Sequence, residues 1–135
     1  MPRQTEKTNT ERVQKLYDSF AERDMEAIRN IMDPDVELHE PQGIAGGGTQ
    51  HGFDEIVENV FSRIGTEWED VSVVPERYVS DGDTVVVLLT WSGTNTKTGR
   101  SVEYPGAHVF DFESGMIVQW TSYADTALFN AARED

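Results

Sequence analysis

LYDSFAERDMEAIRNIMDPDVELHEP, residues 16–41, changes its hydrophobic period twice, and that change decides the fold. Val13, Leu16, Tyr17 and Phe20 recur at i, i+3, i+4 and i+7, one face of a helix. Upstream, Thr8 and Glu11 have capping-box spacing, which predicts a helix start near residue 8 and a loose polar arm over residues 1–9. Asp24 is placed to cap a second short helix carrying Ile28, Ile31 and Met32, with Pro34 stopping it. Val36, Leu38 and Glu40 then alternate with Glu37 and His39, the period of a strand. A glycine-rich loop is expected from Pro41 to Gly52, including Gly46, Gly47 and Gly48. Phe53, Ile56, Val57, Val60, Phe61 and Ile64 then predict a third amphipathic helix that stops at Gly65.

From Trp68 onward the pattern is β. Segments 71–80 and 84–93 flank Asp81-Gly82-Asp83, a hairpin signal. Thr98-Gly99 and Ser114-Gly115 mark two further turns, before strands over 101–112 and 116–124. Asp125 and Thr126 are placed to cap a last helix with Leu128, Phe129 and Ala132. Helices first and a meander afterwards predict an α+β domain over residues 10–135, a curved, mainly antiparallel sheet wrapped around the N-terminal helices. The hollow of such a sheet is where a ligand would sit.

Composition narrows the function. The chain has 135 residues, enough for one core, and no apolar run long enough to span a bilayer, so the expectation is a soluble, cytoplasmic domain without membrane attachment. There is no cysteine, which excludes disulfides and thiolate chemistry. A formal charge of −14, with only Lys7, Lys15 and Lys97 supplying ammonium groups, argues against nucleic-acid binding. The carboxylates are spread along the chain, the pattern of a solvated surface adapted to high salt or of an ordinary acidic protein.

Residues 16–41, together with WSGTNTKTGRSVEYPGAHVFDFESGMIVQWTSYADTALFNAA (91–132), resemble the SnoaL-like branch of the nuclear transport factor 2-like superfamily. The likeness spans roughly residues 10–132 and implies a cone-shaped α+β fold. It implies less about activity, because that scaffold serves isomerases, cyclases, dehydratases, hydrolases and binding modules.

Glu40 heads the candidate site. Alternation turns it inward with Val36 and Leu38, and by resemblance it falls where ketosteroid isomerase relatives carry their general base. The competing reading is a strand-end glutamate bonded to the glycine loop. His108 shares its parity with Tyr104, Phe110 and Phe112, and it falls near the acidic hydrogen-bond donor of the isomerases. It reads either as a donor or as a buried structural histidine. Aligning the first helix through Asp24 puts Leu16, not Tyr17, at the position of the isomerase tyrosine, about 100° away around the helix. The isomerase triad is therefore not reproduced, and Tyr17 is read as a core residue with its hydroxyl at the cavity rim. Asp125 falls where SnoaL-like cyclases carry an acid used in proton transfer, and the same carboxylate suits a helix cap. Trp91, Tyr104, Trp120, Phe20 and Phe110 are candidate ligand-lining aromatics.

His39, Glu40, His51 and His108 lack the i, i+4 spacing of zinc helices, so no metal and no cofactor is expected. Two readings follow. One is a cofactor-free acid–base enzyme acting on a small apolar organic ligand. The other is a non-catalytic binding or association domain, homodimeric through the outer sheet face that carries Thr121 and Tyr123.

Overall fold

The computed structural model describes residues 2–44 and 47–134. Helix α1 (Pro2–Glu22) opens the chain, followed by α2 (Met25–Arg29) and strand β1 (Met32–Glu40). Strand β2 (Gly48–His51) leads into a helical run made of α3 (Gly52–Ile56), a π-helical turn (Val57–Phe61) and α4 (Ser62–Glu67). Four long strands come next, β3 (Trp68–Asp81), β4 (Thr84–Asn95), β5 (Ser101–Glu113) and β6 (Met116–Tyr123), then α5 (Thr126–Arg133). One six-stranded sheet has the order β2-β1-β6-β5-β4-β3, and β1 runs parallel to β6 while every other pair is antiparallel.

The expected architecture is present, with four local corrections. First, α1 starts at Pro2, so residues 2–9 of the segment read as a loose arm are helical, and Thr8 and Glu11 are interior to the helix. Asn9, only 1% exposed, extends the stripe of Val13, Leu16 and Tyr17 one turn upstream. Glu6 accepts the Gly82 N–H at 2.8 Å, and the Thr10 hydroxyl bonds that of Ser80, so polar contacts to the β3–β4 hairpin hold this half. Second, α2 ends at Arg29, and Met32 begins β1 rather than closing a helix. The Ile31 carbonyl accepts from Ile117 N–H at 3.0 Å, and Met32 pairs with Ile117 in β6. Sheet pairing outweighs a helix too short to sustain itself. Third, part of the expected glycine loop is the edge strand β2, paired antiparallel with β1; Gly46 lies outside the described residues. Fourth, Gly65 does not stop the third helix, which continues to Glu67 and contains a π turn.

The meander follows its turn signals. Ser114 and Gly115 both have positive φ, 51° and 79°, as a tight primed hairpin turn requires. Pro75 sits in β3, the outermost strand, where a missing N–H is tolerated. Val36, Leu38, Val85, Val87, Phe110 and Ile117 are fully buried on the concave side. There α1 and the helical run pack, while Val74, Val79, Leu88 and Tyr123 are exposed. None of the described helices is long and apolar enough to cross a membrane.

Phe110 is the largest fully buried side chain. Phe110→Ala should lower unfolding free energy by about 3–5 kcal/mol, the usual cost of emptying a core aromatic site. Urea denaturation followed by far-UV circular dichroism checks this; a loss below about 1 kcal/mol contradicts the packing described.

Candidate functional site

The concave side of the sheet is hollow at the end away from the β3–β4 turn. The cavity measures about 110 Å³ and opens to solvent at its mouth. Its floor is a row of side chains running across neighbouring strands. His108 on β5 pairs with Ser122 on β6 and, on its other side, with Val87 on β4. Leu38 pairs with Trp120 and His39 with Thr121, so the next step of the register sets Glu40 beside Ser122. Period-2 alternation then turns Glu40, Ser122 and His108 to the same face. Glu40 and His108 stand two strand spacings apart, about 9–10 Å between backbones, room for a ligand group between them.

Helix α1 completes the row. Tyr17 Oη lies 2.7 Å from His108 Nδ1, and the two rings are parallel within 6°, with centroids 5.8 Å apart. Burial pushes His108 down to about 3, so the imidazole is neutral at physiological pH. Burial, and to a smaller degree Tyr78, pushes the Tyr17 phenol well above its ordinary range, so it too is neutral. A neutral phenol and a neutral imidazole share two protons, and their mutual bond uses one. If Tyr17 donates to Nδ1, the His108 Nε2–H is left over; if Nδ1–H donates, the phenolic proton is left over. Either arrangement supplies a neutral donor.

Glu40 has a different electrostatic character. Its carboxyl is shifted upward by burial, opposed by a hydrogen bond from the Ser122 hydroxyl. A carboxylate raised toward neutrality is a better proton acceptor than one in water. The Tyr104 phenol is also raised, chiefly by burial and then by the negative charges of Glu40 and Asp125.

Aromatic rings form two groups around this row. Phe20, Phe61 and Trp120 stand by His108: Phe20–Phe61 centroids are 5.6 Å apart, Phe61–Trp120 6.2 Å and His108–Trp120 5.3 Å. Trp68, Trp91, Tyr104 and Phe129 stand at the other end, with Trp91 stacked on Tyr104 at 5.4 Å and 19°. These rings wall the cavity without filling it.

Of the residues singled out from sequence, Glu40, His108, Tyr17, Phe20, Trp91, Tyr104 and Trp120 all line this one cavity. Phe110 does not. It is fully buried behind the wall, edge-on to Tyr17 and His108 and 5.2 Å from Trp120, so it supports the site instead of lining it. Asp125 is also absent from the lining; it caps α5, its carboxylate accepting the Leu128 N–H at 3.0 Å. Glu40 is bonded by the Ser122 hydroxyl; part of the loop named in the competing reading, residues 45–46, lies outside the described residues. Sequence reasoning missed Ser122, Phe61, Asn59, Arg63 and Trp68 as lining residues. Parity with Trp120 was a usable signal for Ser122. Val60 and Phe61 belong to the apolar face read from the sequence, whereas Asn59, beside them in the π turn, is a polar lining residue that the apolar periodicity does not mark. Among the described residues no group of three His, Asp or Glu side chains is arranged to hold a metal ion.

A sequence model of the family described as SnoaL-like domain matches residues 13–120. Among solved structures, an NTF2-like protein of Burkholderia thailandensis superposes with a TM-score of 0.90 at 33% identity, covering 94% of this chain and 98% of its own. An NTF2-like protein of Burkholderia pseudomallei gives 0.88 at 29% identity, covering 95% and 98%. TerC, co-crystallised with polyporic acid, gives 0.86 at 27% identity, covering 95% and 99%. No protein of curated function matches significantly.

The buried neutral histidine should show in stability. Unfolded histidine titrates near 6.5 and folded His108 near 3, so between these values the unfolded chain binds more protons. Stability contributed by His108 is therefore complete above about pH 6.5 and lost as pH falls, by about 2–3 kcal/mol at pH 4.5. Glu40 works in the opposite sense, because its raised folded carboxyl takes up a proton before the unfolded one does. Denaturant midpoints at pH 7 and 4.5 should fall further for wild type than for His108→Gln. Equal losses in the two proteins would contradict the neutral buried imidazole.

Proposed function

Because the chain belongs to the SnoaL-like domain family and has the cone fold of the nuclear transport factor 2-like superfamily, we propose that it binds a small, mainly apolar organic molecule in this cavity and moves a proton on it without a cofactor. The observation that carries the reading is the single cross-strand row of Glu40, Ser122 and His108, closed by Tyr17, on the wall of an aromatic cavity. Glu40 is the base. The neutral Tyr17–His108 pair donates to the oxygen on which negative charge develops, worth most in a dry site. Isomerisation, cyclisation and dehydration each begin with such a step. The co-crystal of TerC with polyporic acid supports an organic ligand for this fold at 27% identity.

The test uses an enolisable aryl ketone, 2-tetralone, in D₂O. Wild type should exchange its α-protons faster than buffer, followed by proton NMR, and Glu40→Gln should slow that exchange about 10²–10⁴-fold with affinity little changed. Binding without exchange would leave a ligand-binding module. Absence of binding would remove the cavity reading altogether.

A second reading, association as a homodimer, has its own support in the outer sheet face. Val74 is 50% exposed there, Val79 43%, Leu88 41% and Tyr123 57%. Sedimentation at tens of micromolar should give a dimer, and Leu88→Lys with Val74→Lys a monomer. A monomeric wild type would sink this reading.

A further inference from the structure

Resting on the reading of the cavity as the ligand site, we propose that its ligand carries a positive charge, an ammonium or quaternary amine on an apolar frame, held between the Glu40 carboxylate and the faces of Trp91, Tyr104 and Trp120. The argument starts from charge placement. Glu40 reaches the cavity wall with a serine hydroxyl as its hydrogen-bond partner. Among the described residues no arginine, lysine or histidine forms an ion pair with it. Among the described residues the one arginine or lysine lining the cavity, Arg63, is engaged at the mouth by Glu67, with Nη2 to Oε2 at 3.5 Å. Glu67 is bonded in turn by Arg133 at 3.1 Å, so two guanidinium groups are engaged at the mouth by one carboxylate. His108 adds no positive charge, being held neutral by burial.

The interior therefore holds one carboxylate without a counter-charge, with the Asp125 carboxylate also acting on Tyr104 from beyond the wall. An anion entering here would meet like charge in a dry surround. A neutral ligand would leave Glu40 without compensation. An organic cation supplies the missing charge, and the rings accept it, since tryptophan and tyrosine faces attract cations at close range. Trp91 and Tyr104 are stacked nearly parallel, so a ligand that covers one ring meets the quadrupole of a pair.

The test compares choline with its uncharged carbon isostere, 3,3-dimethylbutan-1-ol, by tryptophan fluorescence and calorimetry at fixed ionic strength. Choline should bind wild type at least about tenfold more tightly than the alcohol. Glu40→Gln should bring the two within about twofold, whereas Glu69→Gln, an exposed carboxylate outside the cavity, should keep the preference. That control separates the site from the general attraction of an acidic protein for cations. The wild-type comparison decides the matter even if the variant misfolds. Equal binding of both probes, tighter binding of the alcohol, or a preference that survives in Glu40→Gln overturns the proposal. Failure of both probes while 2-tetralone binds overturns it and leaves the cavity reading standing; failure of all three removes both.

Discussion

A helix laid across a concave sheet has to bury its apolar stripe and also wall off one side of the hollow beneath it, and the Tyr17–His108 hydrogen bond is where those two demands meet. Val13 and Leu16 satisfy the first by ordinary burial. Tyr17, on the same stripe, reaches the sheet with a polar atom that must be partnered once water is excluded. His108 Nδ1 at 2.7 Å provides that partner and is satisfied by the same contact. Loss of either group would strand the other, at about 1–3 kcal/mol. The bond ties α1 to β5 in addition to the packing of α1 on β3 and β4, and Leu16 and Phe20 of the same helix stand on the cavity wall. The same burial that makes the bond obligatory keeps both partners neutral.

Where a single periodicity governed local structure, the sequence disclosed it. The β3–β4, β4–β5 and β5–β6 hairpins follow from alternation plus glycine turns, because each strand pairs with its chain neighbour and needs no distant information. The misreadings share a different cause. The first turns of α1 carry no apolar residue and are held by Glu6 and Thr10 bonding to the distant β3–β4 hairpin. Strand β2 is four residues of glycine and polar side chains whose strand character comes from pairing with β1. Met32 is drawn from a helical pattern into the sheet by its partner Ile117. In each case a contact far along the chain outweighs a weak local preference.

Legibility of the site followed the same rule. Strand parity brought Glu40 and His108 to one face, because alternation is a rigid consequence of extended backbone. It also misplaced Phe110. Parity identifies a face, but a residue nearer the closed end of a curved sheet is covered by the helix while its neighbour two residues away opens on the hollow. The two roles offered for Asp125 were likewise beyond spacing to separate. Geometry assigns its carboxylate to the Leu128 amide, and its charge still bears on Tyr104. Resemblance led to Tyr17 by noting a mismatch, since a one-residue offset on a helix gives a different direction of approach. The hydroxyl nevertheless arrives at the histidine, so the row of donors is built here from a different partner.

Glu40 is one of 25 acidic residues, and neither composition nor net charge distinguishes it from the rest. What distinguishes it is the environment. Most of the others stand in water, where a carboxylate is fully hydrated and long-range repulsion is screened by salt. Glu40 has exchanged much of that hydration for aromatic walls and one serine hydroxyl, an unfavourable trade that raises its proton affinity. A leucine or glutamine at this position would remove the desolvation penalty and, by packing alone, favour the fold. A group that costs stability in the free protein regains it only when something in the cavity interacts with the carboxylate, either by giving it a proton or by bringing it a cation. The two outcomes differ in what the ligand supplies, yet both rest on the same deficit of solvation at one strand end.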